Sequence, residues 1–208
     1  TGGAGFIGSH IVDELIKERI DVVVVDNLST GCRENVNTKA EFYEMDISKE
    51  ELKDVFKQEE IDYVIHQAAQ IDVQKSIQAP TFDAQNNIIG TINLLEACRE
   101  YDVKKIIYAS SAAVYGIPEY LGIDEKHPIN PISVYGISKH TPEHYIKTYK
   151  RLHDLDYTIL RYANVYGPRQ DPKGEGGVIS IFVDEMLKDK QPTIFGDGQQ
   201  TRDFIYVK

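Results

Sequence analysis

The sequence predicts an α/β fold in which a doubly wound parallel sheet is covered by helices on both faces. Two observations support this fold class: apolar runs of strand length alternate with segments of helical periodicity, and a glycine-rich turn stands where the first helix begins. Strands that alternate with helices run parallel, and a parallel sheet is buried on both faces. The chain has 208 residues, 41% of them hydrophobic, so it can bury a sizeable core.

Charge and composition exclude several classes of function. The net charge of −10 argues against nucleic acid or an anionic membrane as a partner. The sequence contains no apolar stretch of membrane-spanning length and no recognisable signal peptide. Cys32 and Cys98 lack paired spacing, and no group of side chains has the spacing of a metal site. We therefore expect a cytoplasmic protein without a metal.

The glycine turn is the sequence Thr1-Gly2-Gly3-Ala4-Gly5-Phe6-Ile7-Gly8, and an apolar helical pattern follows it. Gly2 and Gly5 let the backbone bend sharply and approach a pyrophosphate, while Gly8 lets the helix pack on a strand. The helix N-terminus presents free N–H donors to the anion. Such a turn alone is weak evidence, but its helical context indicates a dinucleotide site of the Rossmann type.

The first strand gives the second signal. Residues 22–25 are four valines, and Asp26 follows them. A carboxylate about 20 residues beyond the glycines can accept hydrogen bonds from both ribose hydroxyls of an adenosine and repels a 2′-phosphate. The sequence therefore predicts NAD rather than NADP. The turn after Asp26, residues 27–31, either holds the adenosine ribose or caps the strand.

The remaining elements follow in order. A capping box at residues 48–51 is expected to open a helix. The helix predicted for residues 83–101 should turn Ile88, Thr91, Ile92, Leu95 and Cys98 inward. Further strands are predicted at 41–45, 61–67, 104–110 and 156–161, and further helices at 134–152 and 179–187. Loop-forming residues at 167–177 mark a boundary between a dinucleotide-binding domain, residues 1–166, and the start of a smaller substrate-binding lobe, residues 167–208.

The candidate catalytic residues lie in the stretch from Ser111 to Lys139. Tyr135 and Lys139 are four residues apart on a helix, so the phenol and the ammonium share one face. A neighbouring ammonium favours the phenolate, which makes the tyrosine a usable base. Ser111, at the carboxyl end of the preceding strand, supplies a hydroxyl that can share the proton. By itself, a Tyr-x-x-x-Lys pair on an exposed helix would be an ordinary solvent-exposed pair. In a chain that also has the glycine turn and Asp26, it indicates an oxidoreductase-type site.

These motifs together resemble the extended short-chain dehydrogenase/reductase family, the NAD-dependent epimerases and dehydratases, and within it the UDP-sugar 4-epimerases. The resemblance covers the whole chain and includes the stretches 110–116, 135–139, 160–167 and 202–205. It implies Ser111, Tyr135 and Lys139 as catalytic residues. Together with the glycine turn and the residues that follow the predicted strands, it implies a set of NAD contacts. These are Gly2, Gly5, Phe6, Ile7, Gly8, Asp26, Asn27, Ser29, Thr30, Gly31, Asp46, Ile47, Gln67, Ala68, Ala69, Asn87, Ser110, Tyr135, Lys139 and Tyr162.

The resemblance also implies a substrate and a mechanism. The substrate would be a UDP-sugar whose C4 is inverted through a 4-keto intermediate. Its contacts would come from Ser111, Ala112, Ala113, Tyr135, Asn164, Val178, Thr193, Phe195 and Arg202. A dehydratase, a net-redox reductase and a non-catalytic NAD-binding protein are the alternatives.

Two expectations concern the wider architecture. The glycine turn of this fold follows a strand, so we expect residues 1–208 to be a portion of a longer protein that supplies that strand between those ending at Asp26 and Gln67. We also expect a homodimer, formed through the helices at 83–101 and 134–152.

Overall fold

A computed structural model describes residues 1–173 and 177–208 and divides them into two compact units, Thr1–Tyr162 and Ala163–Lys208. The predicted domain boundary, after residue 166, lies four residues inside the second unit. The assignment of cofactor binding to one unit and substrate binding to the other stays a prediction.

Parallel strands and helices alternate along the first unit, as the sequence predicts. Its strands are β1 (Val23–Asp26), β2 (Glu41–Glu44), β3 (Tyr63–His66), β4 (Lys105–Ser111) and β5 (Asp156–Tyr162). Its helices are α1 (Phe6–Lys17), α2 (Leu52–Gln58), α3 (Val73–Gln78), α4 (Pro80–Ala84), α5 (Gly90–Glu100) and α6 (Val134–His153). A π-helical segment, Gln85–Ile89, joins α4 to α5.

The strands of the first unit pair in two groups. β1 pairs with β2, and β4 lies between β3 and β5, all of them parallel. A groove of about 950 Å³ lies along β1 and β3, lined by residues of both strands. Thr1 lies at one end of it, where its backbone nitrogen donates to the carbonyl of Ile65 and its carbonyl accepts the N–H of Gln67.

The core of the first unit forms where α2, α5 and α6 cover the sheet. Its fully buried side chains include Leu52, Leu94, Leu95, Ile106 and Ile146. Burial of such side chains is the main stabilising contribution of the fold.

The long helical region from α4 to α5 does not keep one period. Ile88 and Ile92, predicted to face inward, are only half-buried, while Asn87 and Leu94 are fully buried. The π-helical segment accounts for the burial of Asn87 in place of Ile88, because it holds more residues per turn than the α-helical period assumed in the prediction. Ile92 and Leu94 lie beyond it on α5, where Thr91, Leu95 and Cys98 are buried as predicted.

The described residues of the second unit form one helix and one pair of short strands. β6 (Asn164–Tyr166) runs parallel to β7 (Phe204–Tyr206), and α7 covers Val178–Leu187. Across the two described ranges, no helix combines the length and the apolar character that crossing a membrane requires.

Candidate active site

The glycine turn forms a left-handed bend that leads directly into α1. Gly2 has a φ of +74°, which favours glycine, and its carbonyl accepts the N–H of Gly5 at 3.2 Å. Gly5 precedes α1, and no side chain of the described residues caps the helix there. The N–H groups of the first helical turn can therefore receive an anion. A Cβ on Gly2 would lie 2.5 Å from the nitrogen of Ala68, so the turn lies against the chain just after β3.

Gly8 has a different role from the predicted one. A Cβ on Gly8 would lie 2.1 Å from the carbonyl oxygen of Gly2, so the turn itself requires this glycine. Gly3 is the residue that packs on β1, because a Cβ there would lie 2.7 Å from the Val24 side chain. The prediction that Gly8 provides the space between helix and strand is therefore wrong.

Asp26 ends β1 with a buried carboxylate that holds the glycine turn. Its Oδ2 accepts the N–H of Ala4 at 3.0 Å, and its Oδ1 accepts the N–H of Leu28 at 2.9 Å. Each carboxylate oxygen keeps a second lone pair, so the group can still accept from two ribose hydroxyls. Gly31 lies close to it, since a Cβ there would be 3.1 Å from Asp26 Oδ1. The geometry suits the predicted role of Asp26.

Two predicted cofactor residues close turns after their strands. The Asn27 side chain accepts the N–H of Ser29 at 3.0 Å, and the Asp46 side chain accepts the N–H of Ser48 at 2.8 Å. The predicted capping box at residues 48–51 is wrong, because α2 starts at Leu52 and no side chain of the described residues caps its first turn. The side-chain acceptor at this turn is Asp46, and its donor is the Ser48 N–H rather than the Glu51 N–H that a capping box would use.

Gln67 and Tyr162 join two strands at their carboxyl ends. The Gln67 amide donates to the Tyr162 hydroxyl at 3.1 Å, which ties the end of β3 to the end of β5. Ile47 is only 6% exposed and packs in the core, so its side chain is structural. The other predicted contacts at these strand ends are half-buried or exposed, as a ligand contact requires: Ser29, Thr30, Ala68 and Ala69.

The predicted catalytic residues lie at the end of β4 and at the start of α6. Ser111 is the last residue of β4, and its hydroxyl accepts the N–H of Ala113 at 3.2 Å. Ser133 caps α6 by accepting the N–H of Gly136 at 3.0 Å, and the Tyr135 N–H donates to Ser76 at 3.1 Å. The first turn of α6, which carries the phenol, is therefore fixed from two sides.

Lys139 lies one turn further along α6 and is 4% exposed. Burial lowers the pKa of its ammonium to about 7, although the carboxylates of Asp83 and Glu143 oppose the shift. Its Nζ lies 4.7 Å from the centre of the Tyr108 ring, and its carbonyl accepts the Tyr108 hydroxyl at 3.1 Å. Lys139 is therefore a buried cation that can change its protonation state near neutral pH.

A buried ion pair joins β4, β5 and α6 behind Ser111. Glu143 is fully buried and accepts from Arg161 at two oxygens, at 3.0 and 2.7 Å. Glu143 also accepts the hydroxyl of Ser110 at 2.7 Å, and Arg161 donates to the Tyr115 hydroxyl at 2.9 Å. Ser110 was predicted to contact the cofactor, but its buried hydroxyl is donated to Glu143. We therefore assign its side chain to this pair rather than to NAD.

Asn87 lies within the π-helical segment and is 2% exposed. Its Oδ1 accepts the N–H of Gln70 at 2.8 Å, and its Nδ2 donates to the Gln70 carbonyl and the Ser138 hydroxyl, each at 2.9 Å. Asp83 Oδ1 is a third acceptor, at 3.2 Å. Two N–H hydrogens cannot serve a further acceptor well, so we do not expect this side chain itself to bind NAD. It positions the chain after β3 against α6.

The second unit contains a cavity of about 180 Å³. Three of the predicted substrate residues line it, Asn164, Val178 and Arg202, together with the unpredicted aromatic residues Tyr166 and Phe204. Asn164 Nδ2 donates to the Asp203 carbonyl at 3.0 Å, which leaves its side-chain oxygen for a ligand. The two other predicted contacts of this unit, Thr193 and Phe195, are exposed and do not line the cavity.

The sequence pattern of the NAD dependent epimerase/dehydratase family matches residues 1–208. The chain belongs to this family. A Methanocaldococcus jannaschii protein, provisionally named a UDP-glucose 4-epimerase, is 59% identical over 208 residues, which are 100% of this chain and 68% of that relative.

Two solved structures of this family are similar to the chain. The UDP-glucose 4-epimerase of Thermotoga maritima with UDP-glucose has a TM-score of 0.97 and 49% identity, and the match covers 99% of this chain and 68% of that one. The UDP-glucose 4-epimerase of Thermus thermophilus in complex with NAD has a TM-score of 0.94 and 44% identity, with 99% and 69% covered.

Membership of the epimerase/dehydratase family confirms the predicted fold class, the NAD cofactor and the assignment as an enzyme. The individual contacts with NAD and with a sugar stay predictions. The sequence pattern gave no role to three charged residues of this region: the fully buried Asp83 and Glu143, and Arg161, whose side chain is 15% exposed. Two of them left a signal: Glu143 follows Lys139 at the same helical spacing by which Lys139 follows Tyr135, and Arg161 interrupts an apolar strand.

Proposed function

We propose that this protein interconverts UDP-sugars that differ in configuration at C4, such as UDP-glucose and UDP-galactose. The observation that carries the proposal is the pair at the start of α6, where the buried ammonium of Lys139 lies one helical turn from the Tyr135 phenol. Bound NAD would supply a reversible hydride acceptor for C4, so the reaction would have no net oxidation. The chain suits that cofactor, because the turn before α1 has no side-chain cap and Asp26 is bonded to it.

Tyr135 acts as the base. A phenol with the ordinary tyrosine pKa of about 10 is a poor base at neutral pH, and the positive charge of Lys139 favours the phenolate. Tyr135 takes the proton of the sugar 4-hydroxyl, which leaves a 4-keto sugar, and later returns the proton to the same oxygen. The Ser111 hydroxyl accepts the Ala113 N–H, so its own O–H can be donated to that sugar oxygen.

The residues of the second unit hold the nucleotide while the keto sugar turns over. Arg202 can form charge-assisted hydrogen bonds to the diphosphate, and Asn164 offers an amide oxygen to the uracil ring. Holding the nucleotide leaves the sugar ring free to present its opposite face. Contacts from Thr193 and Phe195 belong to the same proposal, which rests for these two residues on family resemblance alone.

Two alanines argue against the dehydratase alternative. Elimination of water from a 4-keto sugar needs an acid at the leaving hydroxyl and a base at C5. Dehydratases resembling this chain carry Asp-Glu where Ala112 and Ala113 follow the catalytic Ser111. The methyl groups of Ala112 and Ala113 cannot transfer protons.

We also infer that the enzyme is a cytoplasmic homodimer. The support for the dimer is the outward side of α6, where Ile137 is 51% exposed, Tyr145 39% and Leu152 68%. Apolar side chains in such numbers on one helix are typical of an interface. Sedimentation that gives only monomer at micromolar concentration would exclude the dimer.

The cysteines support the cytoplasmic location. Both are free, one exposed and one buried, which agrees with a reducing compartment.

Incubation with UDP-galactose without added cofactor tests the reaction. We expect UDP-glucose as the product and no free NADH. A net-redox enzyme would instead release NADH in each turnover, and a dehydratase would form a 4-keto-6-deoxy sugar from a nucleotide-activated glucose. Either product would refute the proposal.

A matched pair of tyrosine variants tests the base. Tyr135→Phe should lower kcat by roughly a hundredfold or more, with NAD still bound, because it removes only the hydroxyl. Tyr63→Phe is the control. Tyr63 is the first residue of β3 and is 61% exposed, whereas the predicted catalytic Ser111 lies at the carboxyl end of the neighbouring strand β4. Activity of Tyr135→Phe within a fewfold of the control would contradict the assignment.

A further inference from the structure

Asp83, on α4, is a carboxylate with no exposed surface. Its Oδ1 accepts from Gln70 Nε2 at 2.8 Å and from Asn87 Nδ2 at 3.2 Å. Its Oδ2 is also buried and has no hydrogen-bond partner in the described part of the chain. A buried carboxylate is strongly destabilising unless a positive charge compensates it. We therefore expect a cationic side chain near Asp83 that compensates its charge.

Among the residues that the structure describes, two cationic side chains, Lys139 and Arg161, are the candidates. Arg161 lies on β5 and is already compensated, because Glu143 binds its guanidinium through two oxygens. Lys139 is buried on α6, the helix against which α4 packs, and no carboxylate oxygen of a described residue, Asp83 included, lies within 4.0 Å of its Nζ, so it has no direct ion pair. This leaves one buried anion, Asp83, and one buried cation, Lys139.

A chain of hydrogen bonds ties Asp83 to the turn of α6 that carries Lys139. Asn87 bonds Asp83 through Nδ2 and bonds the Ser138 hydroxyl with the same group at 2.9 Å. Ser138 precedes Lys139 and donates its hydroxyl to the Tyr135 carbonyl at 3.1 Å. Movement of Asp83 would therefore be transmitted to the first turns of α6.

The other titratable groups around Lys139 come from three elements. Tyr108 of β4 places its ring under the ammonium, and burial raises the pKa of its hydroxyl well above 10. His66 of β3 is kept neutral, because burial and then the charge of Lys139 hold its pKa well below 6.5. Glu143 and Tyr135 lie on α6 itself. Glu143 is the carboxylate among these groups, and Arg161 compensates it.

We propose that Asp83 is the counter-ion of Lys139, a positioning residue that holds the lysine as an ammonium beside Tyr135. The proposal rests on the proposed function for its catalytic meaning. Burial alone lowers the pKa of Lys139, and the negative charge of Asp83 acts against that shift. Without Asp83 the lysine would lose its proton at a lower pH, and the phenolate of Tyr135 would lose its stabilising charge.

The titration of Lys139 tests the proposal directly in the intact protein. Lysine labelled with ¹³C at Cε is followed by NMR against pH, and Lys139→Met identifies the signal. Asp83→Asn keeps the Oδ1 acceptor and removes the charge, so we expect the pKa of Lys139 to fall by about one unit or more. Ser138→Ala removes the hydrogen bond to Asn87 without changing a charge, so the pKa of Lys139 should be the same in this variant as in the unmodified protein.

A stability comparison covers the case in which Asp83→Asn alone folds poorly. Lys139→Met leaves Asp83 without its counter-ion, so Asp83→Asn added to Lys139→Met should raise the melting temperature above that of Lys139→Met. An unchanged lysine titration in Asp83→Asn, an equal change in Ser138→Ala, or a double variant that melts below Lys139→Met would overturn the counter-ion assignment. Because none of these readouts needs turnover, failure of the epimerase proposal would be recognised separately by the UDP-galactose assay.

Discussion

The buried pair of Glu143 and Arg161 allows a stability prediction whose size follows from its burial. Glu143 is fully buried, and the Arg161 side chain is 15% exposed. Glu143→Gln removes the anion and leaves the guanidinium uncompensated, which costs about 3–5 kcal/mol in buried pairs. Domains are stable by about 5–15 kcal/mol, so the loss is a large fraction of the total. For a chain of this length it corresponds to a melting temperature lower by roughly 6–20 °C.

Unfolding by urea and by heat measures this loss. Glu14→Gln is the control, because Glu14 pairs with Lys17 on the surface, with side chains 65% and 71% exposed, and such pairs contribute about 0–1 kcal/mol. Replacing both buried partners, as Glu143→Leu with Arg161→Met, should give a protein more stable than either single variant. If Glu143→Gln costs no more than Glu14→Gln, the burial argument fails.

The same pair predicts a pH dependence. Burial would raise the pKa of Glu143, but hydrogen bonds from Arg161 and Ser110 hold it below its usual value of 4.5. The stabilisation is therefore present above the unfolded-state pKa and is lost as pH falls through the folded-state one. The difference in unfolding free energy between the unmodified protein and Glu143→Gln should narrow below about pH 4.5.

Two further predictions concern the cofactor. Gly8→Ala places a methyl group 2.1 Å from the Gly2 carbonyl, so the turn must distort; we expect NAD binding, measured by calorimetry, to weaken by roughly tenfold or more, and binding within twofold would contradict this. Asp26→Asn removes the charge that repels a 2′-phosphate, so the preference for NAD over NADP should fall. An unchanged ratio of the two dissociation constants would show that another group sets the preference.

Much of the fold and part of the site could be predicted from the sequence because their signals are local. The alternation of apolar runs and helical periods predicts the parallel strands, and the glycine spacing with Asp26 predicts the cofactor. The spacing of Tyr135 and Lys139 places both on one helical face. Each of these signals lies within a few turns of one element.

What could not be predicted depends on long-range partners. Glu143 and Arg161 are 18 residues apart and become neighbours only when α6 packs on β5. From the sequence alone, Asp83 is indistinguishable from a solvent-exposed aspartate at the start of a helix. Its burial is evident only in the folded structure. The role of Gly8 was mistaken for a related reason, because the pattern indicates that glycine is needed but not which atom a Cβ would meet.

The π-helical segment Gln85–Ile89 has a consequence for insertions and deletions. A π turn holds more residues than an α turn, and each residue of an α-helix advances by about 100°. Removing one residue between 85 and 89 would allow a continuous α-helix, because four α-helical residues turn through about 400°, close to the angle covered by the five residues of the π-helical segment. Asp83 would then keep its orientation relative to Leu94 and Leu95. We therefore expect a single deletion here to preserve the buried faces on both sides of the segment and to disturb mainly the hydrogen bonds of Asn87, which lies within it.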